Sequence, residues 1–166
     1  PRYDKLNYDP EVPRNLIDDN DNVGTTEEGG ITLKEIFSEK VFDYPKPPSL
    51  IQYLINFVCD KNSIILDSFA GSGTTAHAVL SLNKKDGGNR KFILVEMEDY
   101  ANNITAERVK RVIKGYSDKE GLGGYFDYFE LGEKIFSDDS FFNEAAHIDS
   151  IKNYIYYSET RSSIST

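Results

Sequence analysis

The stretch from Ile64 to Leu80, IILDSFAGSGTTAHAVL, decides how the fold is read. Ile64, Ile65 and Leu66 form a short continuous apolar run, the pattern of a buried parallel strand. Asp67 ends the run, and Gly71 and Gly73 follow where the chain has to turn sharply. Glycine reaches backbone angles that other residues resist, and it lets a ligand come close to the main chain. Beyond the glycines, Ala76, Val79, Leu80 and Leu82 recur at about helical spacing. The reading is strand, tight loop, helix, with the first helical amides pointing into the loop and favouring a negative group there.

Gly71-Ser72-Gly73-Thr74-Thr75-Ala76 also fits the dinucleotide pattern G-x-G-x-x-G/A. A phosphate loop of the lysine-bearing kind does not fit, because no lysine follows the second glycine. The dinucleotide pattern calls for an acid at the end of the next strand. The next apolar run is Phe92-Ile93-Leu94-Val95, and Glu96 follows it directly. A carboxylate there can accept hydrogen bonds from both hydroxyls of a ribose. An α/β protein that holds a nucleoside-bearing cofactor is therefore expected.

Asp67-Ser68-Phe69-Ala70-Gly71-Ser72-Gly73-Thr74-Thr75 resembles the first motif of DNA amino-methyltransferases, D-P-F-x-G-x-G-T-T, with only the proline replaced, by Ser68. Upstream, Phe42-Asp43-Tyr44-Pro45-Lys46-Pro47-Pro48 looks like that family's N-P-K-P segment, which precedes a helix lining the cofactor pocket. Downstream, NKKDGGNRKFILVEMEDYANNITAERVKRVIKGY and GLGGYFDYFEL resemble the adenine-specific modification subunits of type III restriction–modification systems. The likeness runs from about Gly29 to the end. It implies a Rossmann-like, S-adenosylmethionine-dependent methyltransferase fold, present here in part as a C-terminal portion.

The resemblance also implies roles at matching positions. Phe69, Ala70, Gly71 and Gly73 would pass under the methionine part of S-adenosylmethionine, and Asp67 would sit near its ammonium. Glu96 would hold the ribose hydroxyls, and Lys46 would approach the carboxylate end. Ser72, Thr74 and Thr75 are expected to cap the helix and hydrogen-bond the cofactor rather than act as nucleophiles. Asp67 also counts against a nicotinamide dinucleotide, whose pyrophosphate is ill served by an acid just before the loop.

The family's second motif, D/N/S-P-P-Y/F/W, holds the target amine and stacks on the flipped base. No such tetrapeptide occurs in the 166 residues, since the double proline Pro47-Pro48 is followed by Ser49. No catalytic residue is therefore expected in this chain. The expectation is the cofactor-binding half of an adenine methyltransferase, inactive alone and completed by an N-terminal catalytic portion that also carries most DNA contacts. The absence of an initiator methionine at Pro1 fits that expectation. The competing expectation is a truncated remnant that binds cofactor and catalyses nothing. The resemblance leaves room for a restriction subunit and for a homodimer, and bacterial cytoplasm is the compartment it implies.

Composition bounds these expectations. Apolar residues make up 39% of 166, enough for one real core. The single cysteine, Cys59, excludes an internal disulfide and falls on the apolar helix pattern of Ile51, Leu54, Ile55 and Val58. No apolar run approaches membrane-spanning length, and His77, His147 and Cys59 lack metal-ligand spacing. The net charge of −9 is unhelpful for DNA binding, which makes local basic clusters of interest. Two exist: Lys84, Lys85, Arg90 and Lys91 around the Asp86-Gly87-Gly88 turn, and Arg108, Lys110, Arg111 and Lys114 on a helix predicted over 101–114. On that helix Thr105, Val109, Val112, Ile113 and Tyr116 line one side, and Glu107, Lys110, Arg111 and Lys114 line the opposite side, which reads as a solvated face with Glu107 paired to Arg111.

The expected organisation is an extended arm or end of a target-recognition region over 1–30, an S-adenosylmethionine-binding domain over 31–157 and a flexible tail over 158–166. Leu33, Ile36 and Phe37 suggest a short helix, and Pro45–Pro48 the start of the next. Tyr125–Leu131 alternates like a strand, and Ile148, Ile151, Tyr154 and Ile155 give a C-terminal helix.

Overall fold

The computed structural model describes Ile17 and residues 23–164. Most of the expected arm, 1–16 and 18–22, and the last two residues of the expected tail lie outside the described residues. The chain divides into two compact units, Pro1–Phe126 and Asp127–Thr166.

In the first unit, α1 spans Thr26–Phe37. It starts ahead of Leu33 because Thr25 and Glu28 form a capping box: the Thr25 amide donates to Glu28 Oε2 (2.6 Å) and the Glu28 amide to Thr25 Oγ1 (3.3 Å). Gly29 and Gly30, grouped in sequence with the arm, are therefore helical. Gly29 is buried against the Pro45–Pro47 backbone, where an added Cβ would meet the Pro45 carbonyl oxygen and come 2.9 Å from Pro47 N. That close approach fixes the segment carrying Lys46 against α1. Helix α2, Pro48–Val58, opens with its proline at the first helical position, where no amide is needed.

Strands β1 (Ile64–Asp67) and β2 (Lys91–Leu94) pair in parallel, Ile64 opposite Lys91 through Asp67 opposite Leu94. Helix α3, Thr74–Asp86, connects them and ends at Gly87 in the left-handed conformation (φ 68°). The crossover is the one a parallel pair requires. One face of this pair is covered. Ile36, Ala76, Leu80, Val109 and Val112 form one buried cluster, and Ile55, Ala78, Val79 and Leu82 a second. Phe92 packs against both, and Ile65 and Leu94 against one each. The other face is open: Ile64 and Leu66 are each 63% exposed, with Ile93 and Val95 beside them. Parallel sheets normally bury both faces.

After β2 the chain makes a π-helical turn, Ala101–Ala106, which runs into α4, Glu107–Lys114. The helix predicted over 101–114 thus exists with a wider first turn. Glu107 and Arg111 pair at 2.7 Å, as expected for the solvated side. Arg108 does not belong to that side and is fully buried. A short hairpin follows, β3 (Gly115–Tyr116) against β4 (Lys119–Glu120). Residues 125–131 form no strand: Tyr125, Phe129 and Leu131 are exposed, and no ladder partner exists among the described residues. Alternation alone cannot make a strand without a neighbour to take its hydrogen bonds.

In the second unit, Phe136 bridges to Phe142, their rings stacked with centroids 5.2 Å apart, and Tyr154 meets Phe136 edge-on at 5.1 Å. Helix α5 spans Ile148–Thr160, so residues 158–160 of the expected tail are helical. No described helix is long and apolar enough to cross a membrane.

Candidate cofactor site at the glycine loop

The site grows from the C-terminal ends of β1 and β2. Asp67 closes β1, and its carboxylate is held on both oxygens: Oδ1 accepts from the Phe69 amide (3.1 Å) and Oδ2 from Thr75 Oγ1 (2.5 Å). The Val95 amide donates to Asp67 O at 2.9 Å, and the chain then enters the loop, where the Ala70 amide donates to Val95 O at 3.0 Å. Phe69 projects outward with 90% of its surface exposed. Gly71 and Gly73 both take positive φ, 53° and 78°. A Cβ on Gly71 would meet only ordinary contacts, Phe42 Cζ at 3.6 Å among them. A Cβ on Gly73 would lie 3.0 Å from Thr105 O. The second glycine is therefore required by packing against the π-helical turn as well as by its backbone angles.

Glu96 reaches back to this loop. Its Oε2 accepts from the Gly71 amide (2.7 Å), and its Oε1 from the Met97 (2.8 Å) and Glu98 (3.1 Å) amides. Burial works against the charged form, but the hydrogen bonds from Glu98, Gly71, Met97 and the Tyr100 hydroxyl outweigh it and hold the carboxyl below its ordinary range. Three of the about four lone-pair sites of this carboxylate accept backbone amides. Phe42 and Tyr100 meet edge-on beside the loop, with centroids 5.3 Å apart.

Thr74 begins α3, and its hydroxyl donates to the Lys46 carbonyl (3.1 Å). The loop is thereby tied to the Pro45–Pro48 segment, while the Lys46 side chain is exposed. Lys46, Asp67, Phe69, Ala70, Gly71, Gly73, Thr74 and Glu96 thus fall in one hydrogen-bonded neighbourhood. The helix cap expected from Ser72, Thr74 and Thr75 is not made. Ser72, Thr74 and Thr75 are buried, α3 has no side-chain cap, and each hydroxyl is engaged inside the protein.

Three contributors were not picked out in the sequence. Thr105 donates from Oγ1 to Gly71 O at 2.5 Å. Tyr100 stands beside Glu96. Arg108, grouped in sequence with a basic cluster, lies beneath the loop, its Nη1 donating to Ser72 O (3.2 Å), Ser72 Oγ (2.9 Å) and Thr74 Oγ1 (2.7 Å). A signal was present: Arg108 follows Thr105 by three residues and precedes Val112 by four, on the apolar side of its helix. The other cluster also loses a member, because Arg90 is buried and paired with Asp86 at 3.0 Å. No His, Cys, Asp and Glu grouping that could hold a metal exists among the described residues. A groove of about 530 Å³ between α1 and residues 40–45 touches neither Asp67 nor Glu96.

A parallel strand pair joined by a helix, with a glycine loop and an acid at the end of each strand, defines a protein of mixed helix and strand. Residues 5–107 match the model of the family described as DNA methylase, and the chain belongs to that family. It is 47% identical over 85 residues to the type III restriction-modification enzyme StyLTI Mod subunit of Salmonella typhimurium, covering 51% of this chain and 13% of that protein. It is 49% identical over 77 residues to the type II methyltransferase M.KpnI of Klebsiella pneumoniae, covering 46% and 18%. With the type III restriction-modification enzyme EcoPI Mod subunit of Escherichia phage P1 it shares 40% over 96 residues, covering 49% and 15%. The chain therefore spans less than a fifth of the length of these relatives. The family expected from Asp67–Thr75 and its flanks is the family found.

Proposed function

We propose that this chain is the S-adenosylmethionine-binding portion of a DNA methyltransferase that modifies the exocyclic amine of adenine within a restriction–modification system. The observation that carries the reading is the pair of acids, Asp67 and Glu96, tied to one glycine loop at the ends of adjacent parallel strands. The donor set suits a ligand with an ammonium, a sulfonium, a carboxylate and a ribose. Asp67 keeps unused lone pairs for an ammonium. Phe69 offers an exposed aromatic face, which attracts cations. Glu96 is the acceptor for ribose, and Lys46 supplies a cation toward a carboxylate.

S-adenosylmethionine supplies an electrophilic methyl group on sulfur. The residues named here bind and orient it, which is the positioning share of catalysis. Holding a flipped base belongs to the D/N/S-P-P-Y/F/W motif, which these 166 residues do not contain. Methyl transfer is therefore assigned to this chain joined to an N-terminal catalytic portion carrying that motif and most DNA contacts. Its other partners are DNA and, by likeness to the Mod subunits, a restriction subunit.

Titration calorimetry tests the cofactor. S-adenosylmethionine and S-adenosylhomocysteine bind, NADH does not, and Glu96→Ala weakens binding by about 1.5–3 kcal/mol, the scale of a hydrogen bond to a charged group. Tighter binding of NADH than of S-adenosylmethionine overturns the reading.

A further inference from the structure

Arg108 and Arg90 are both buried, but their surroundings differ. Arg90 meets Asp86 through two hydrogen bonds, Nη1 to Oδ1 at 3.1 Å and Nη2 to Oδ2 at 3.0 Å. Arg108 has no carboxylate partner among the described residues. Its Nη1 serves the three oxygens of Ser72 and Thr74, its Nη2 lies 3.4 Å from His77 Nδ1, and its Nε has no hydrogen-bond partner. His77 offers no negative charge: burial, with the charges of Arg108 and Lys119, lowers its pKa to about 3 and keeps it neutral. A buried cation is costly unless an opposite charge meets it. Every group that hydrogen-bonds this one belongs to the glycine loop or the first turn of α3. The place where a counter-charge can arrive is therefore the loop itself.

We propose that Arg108 is a positioning residue whose uncompensated charge, lodged beneath Ser72 and Thr74, makes the glycine loop selective for a ligand bearing a carboxylate. This inference rests on the S-adenosylmethionine reading and deepens it. The carboxylate of the amino-acid end is selected by two cations, exposed Lys46 at the rim and buried Arg108 below. The buried one is less screened by water and salt.

Titration calorimetry on the 166-residue chain tests it with two ligands, S-adenosylhomocysteine and its decarboxylated counterpart, which keeps the nucleoside, sulfur and amine. The parent chain prefers the carboxylate-bearing ligand by roughly tenfold, a one-step difference of 1.4 kcal/mol. Lys46→Ala, an exposed change, keeps at least threefold of that preference. Arg108→Lys keeps it too, because the charge remains. Arg108→Met brings it below twofold while binding of the decarboxylated ligand changes by less than threefold. Loss of the whole preference in Lys46→Ala overturns the proposal, and this arm decides the matter if Arg108→Met does not fold. Equal weakening of both ligands in Arg108→Met also overturns it, since that is the result of a purely structural role. A parent that binds both ligands without preference overturns the proposal alone. A parent that binds neither overturns the cofactor reading and the proposal together.

Discussion

Gly73 and His77 show how single residues are constrained from inside the molecule. The spacing of Gly71 and Gly73 marked a loop, and both take positive φ. The sequence reading assigned their smallness to a passing ligand; at Gly73 the structure adds an internal neighbour, Thr105 O, 3.0 Å from where a Cβ would stand. A non-glycine residue at such angles costs about 1–2 kcal/mol. Gly71→Ala therefore loses about that amount in chemical denaturation, and Gly73→Ala loses more because the Thr105 contact adds to it. Equal losses would mean that the π-helical turn yields freely. His77 gives a pH dependence. Its folded pKa of about 3 lies below its ordinary 6.5, through burial first and then the Arg108 and Lys119 charges. The unfolded chain takes up a proton in that window and the folded chain does not. The stabilisation is fully present above pH 6.5 and drains away as pH falls toward 3, at up to about 1.36 kcal/mol per pH unit. Replacing His77 by Gln retains an acceptor for Arg108 and removes the titration. Its stability should be flatter between pH 6.5 and 5 in denaturation series, and an unchanged slope would refute the assignment to His77. Asp67, Glu96 and the glycines were legible because strand, loop and acid lie close in sequence. Arg108 was counted only as part of a basic cluster, and its burial was not legible because its partners Ser72 and Thr74 lie 36 and 34 residues away.

At the scale of elements, α1 carries two neighbouring glycines with opposite meanings. A Cβ on Gly30 meets nothing within 4 Å, whereas one on Gly29 collides with the Pro45–Pro47 backbone. Gly30→Ala should stabilise the protein by about 0.5–1 kcal/mol through helix propensity. Gly29→Ala should destabilise it by about 1–3 kcal/mol through overpacking, and should disturb the Lys46 carbonyl that Thr74 bonds. Thermal unfolding of the two variants checks both signs, and two stabilised variants would show that α1 does not press on that segment. Helices α2, α3 and α5 were readable from apolar spacing and from Pro48. The start of α1 was missed because Gly29 and Gly30 suggested a loop, and the Thr25–Glu28 capping box outweighed them. The strand expected over 125–131 failed because pairing, unlike periodicity, is not a local property.

For the molecule as a whole, the open face of β1 and β2 is the largest departure from what a parallel sheet requires. Ile64, Leu66, Ile93 and Val95 stay exposed while Ile65, Phe92 and Leu94 pack inward. Replacing Ile64 and Leu66 by Thr should leave the unfolding free energy within about 0.5 kcal/mol per site, as at other surface positions. The same change should reduce concentration-dependent association in sedimentation, because apolar patches and unpaired edges promote it. A loss beyond about 2 kcal/mol would mean that the chain covers this face itself. No sequence pattern could have revealed the bareness, since an apolar run reads the same whether its cover is present or absent. The loop presents the opposite case. Glycine content suggests the loosest segment of the chain, yet Gly71 is bonded at its amide by Glu96 and at its carbonyl by Thr105, while Thr74 holds Lys46 and Arg108 spans both sides. Three separate stretches of the chain, around Lys46, Glu96 and Thr105–Arg108, hold this loop, and Glu96 covers the Gly71 amide directly. Its hydrogen should therefore exchange for deuterium on the clock of global opening, alongside the amides of α3, making one glycine proton a reporter of when the entire first unit comes apart.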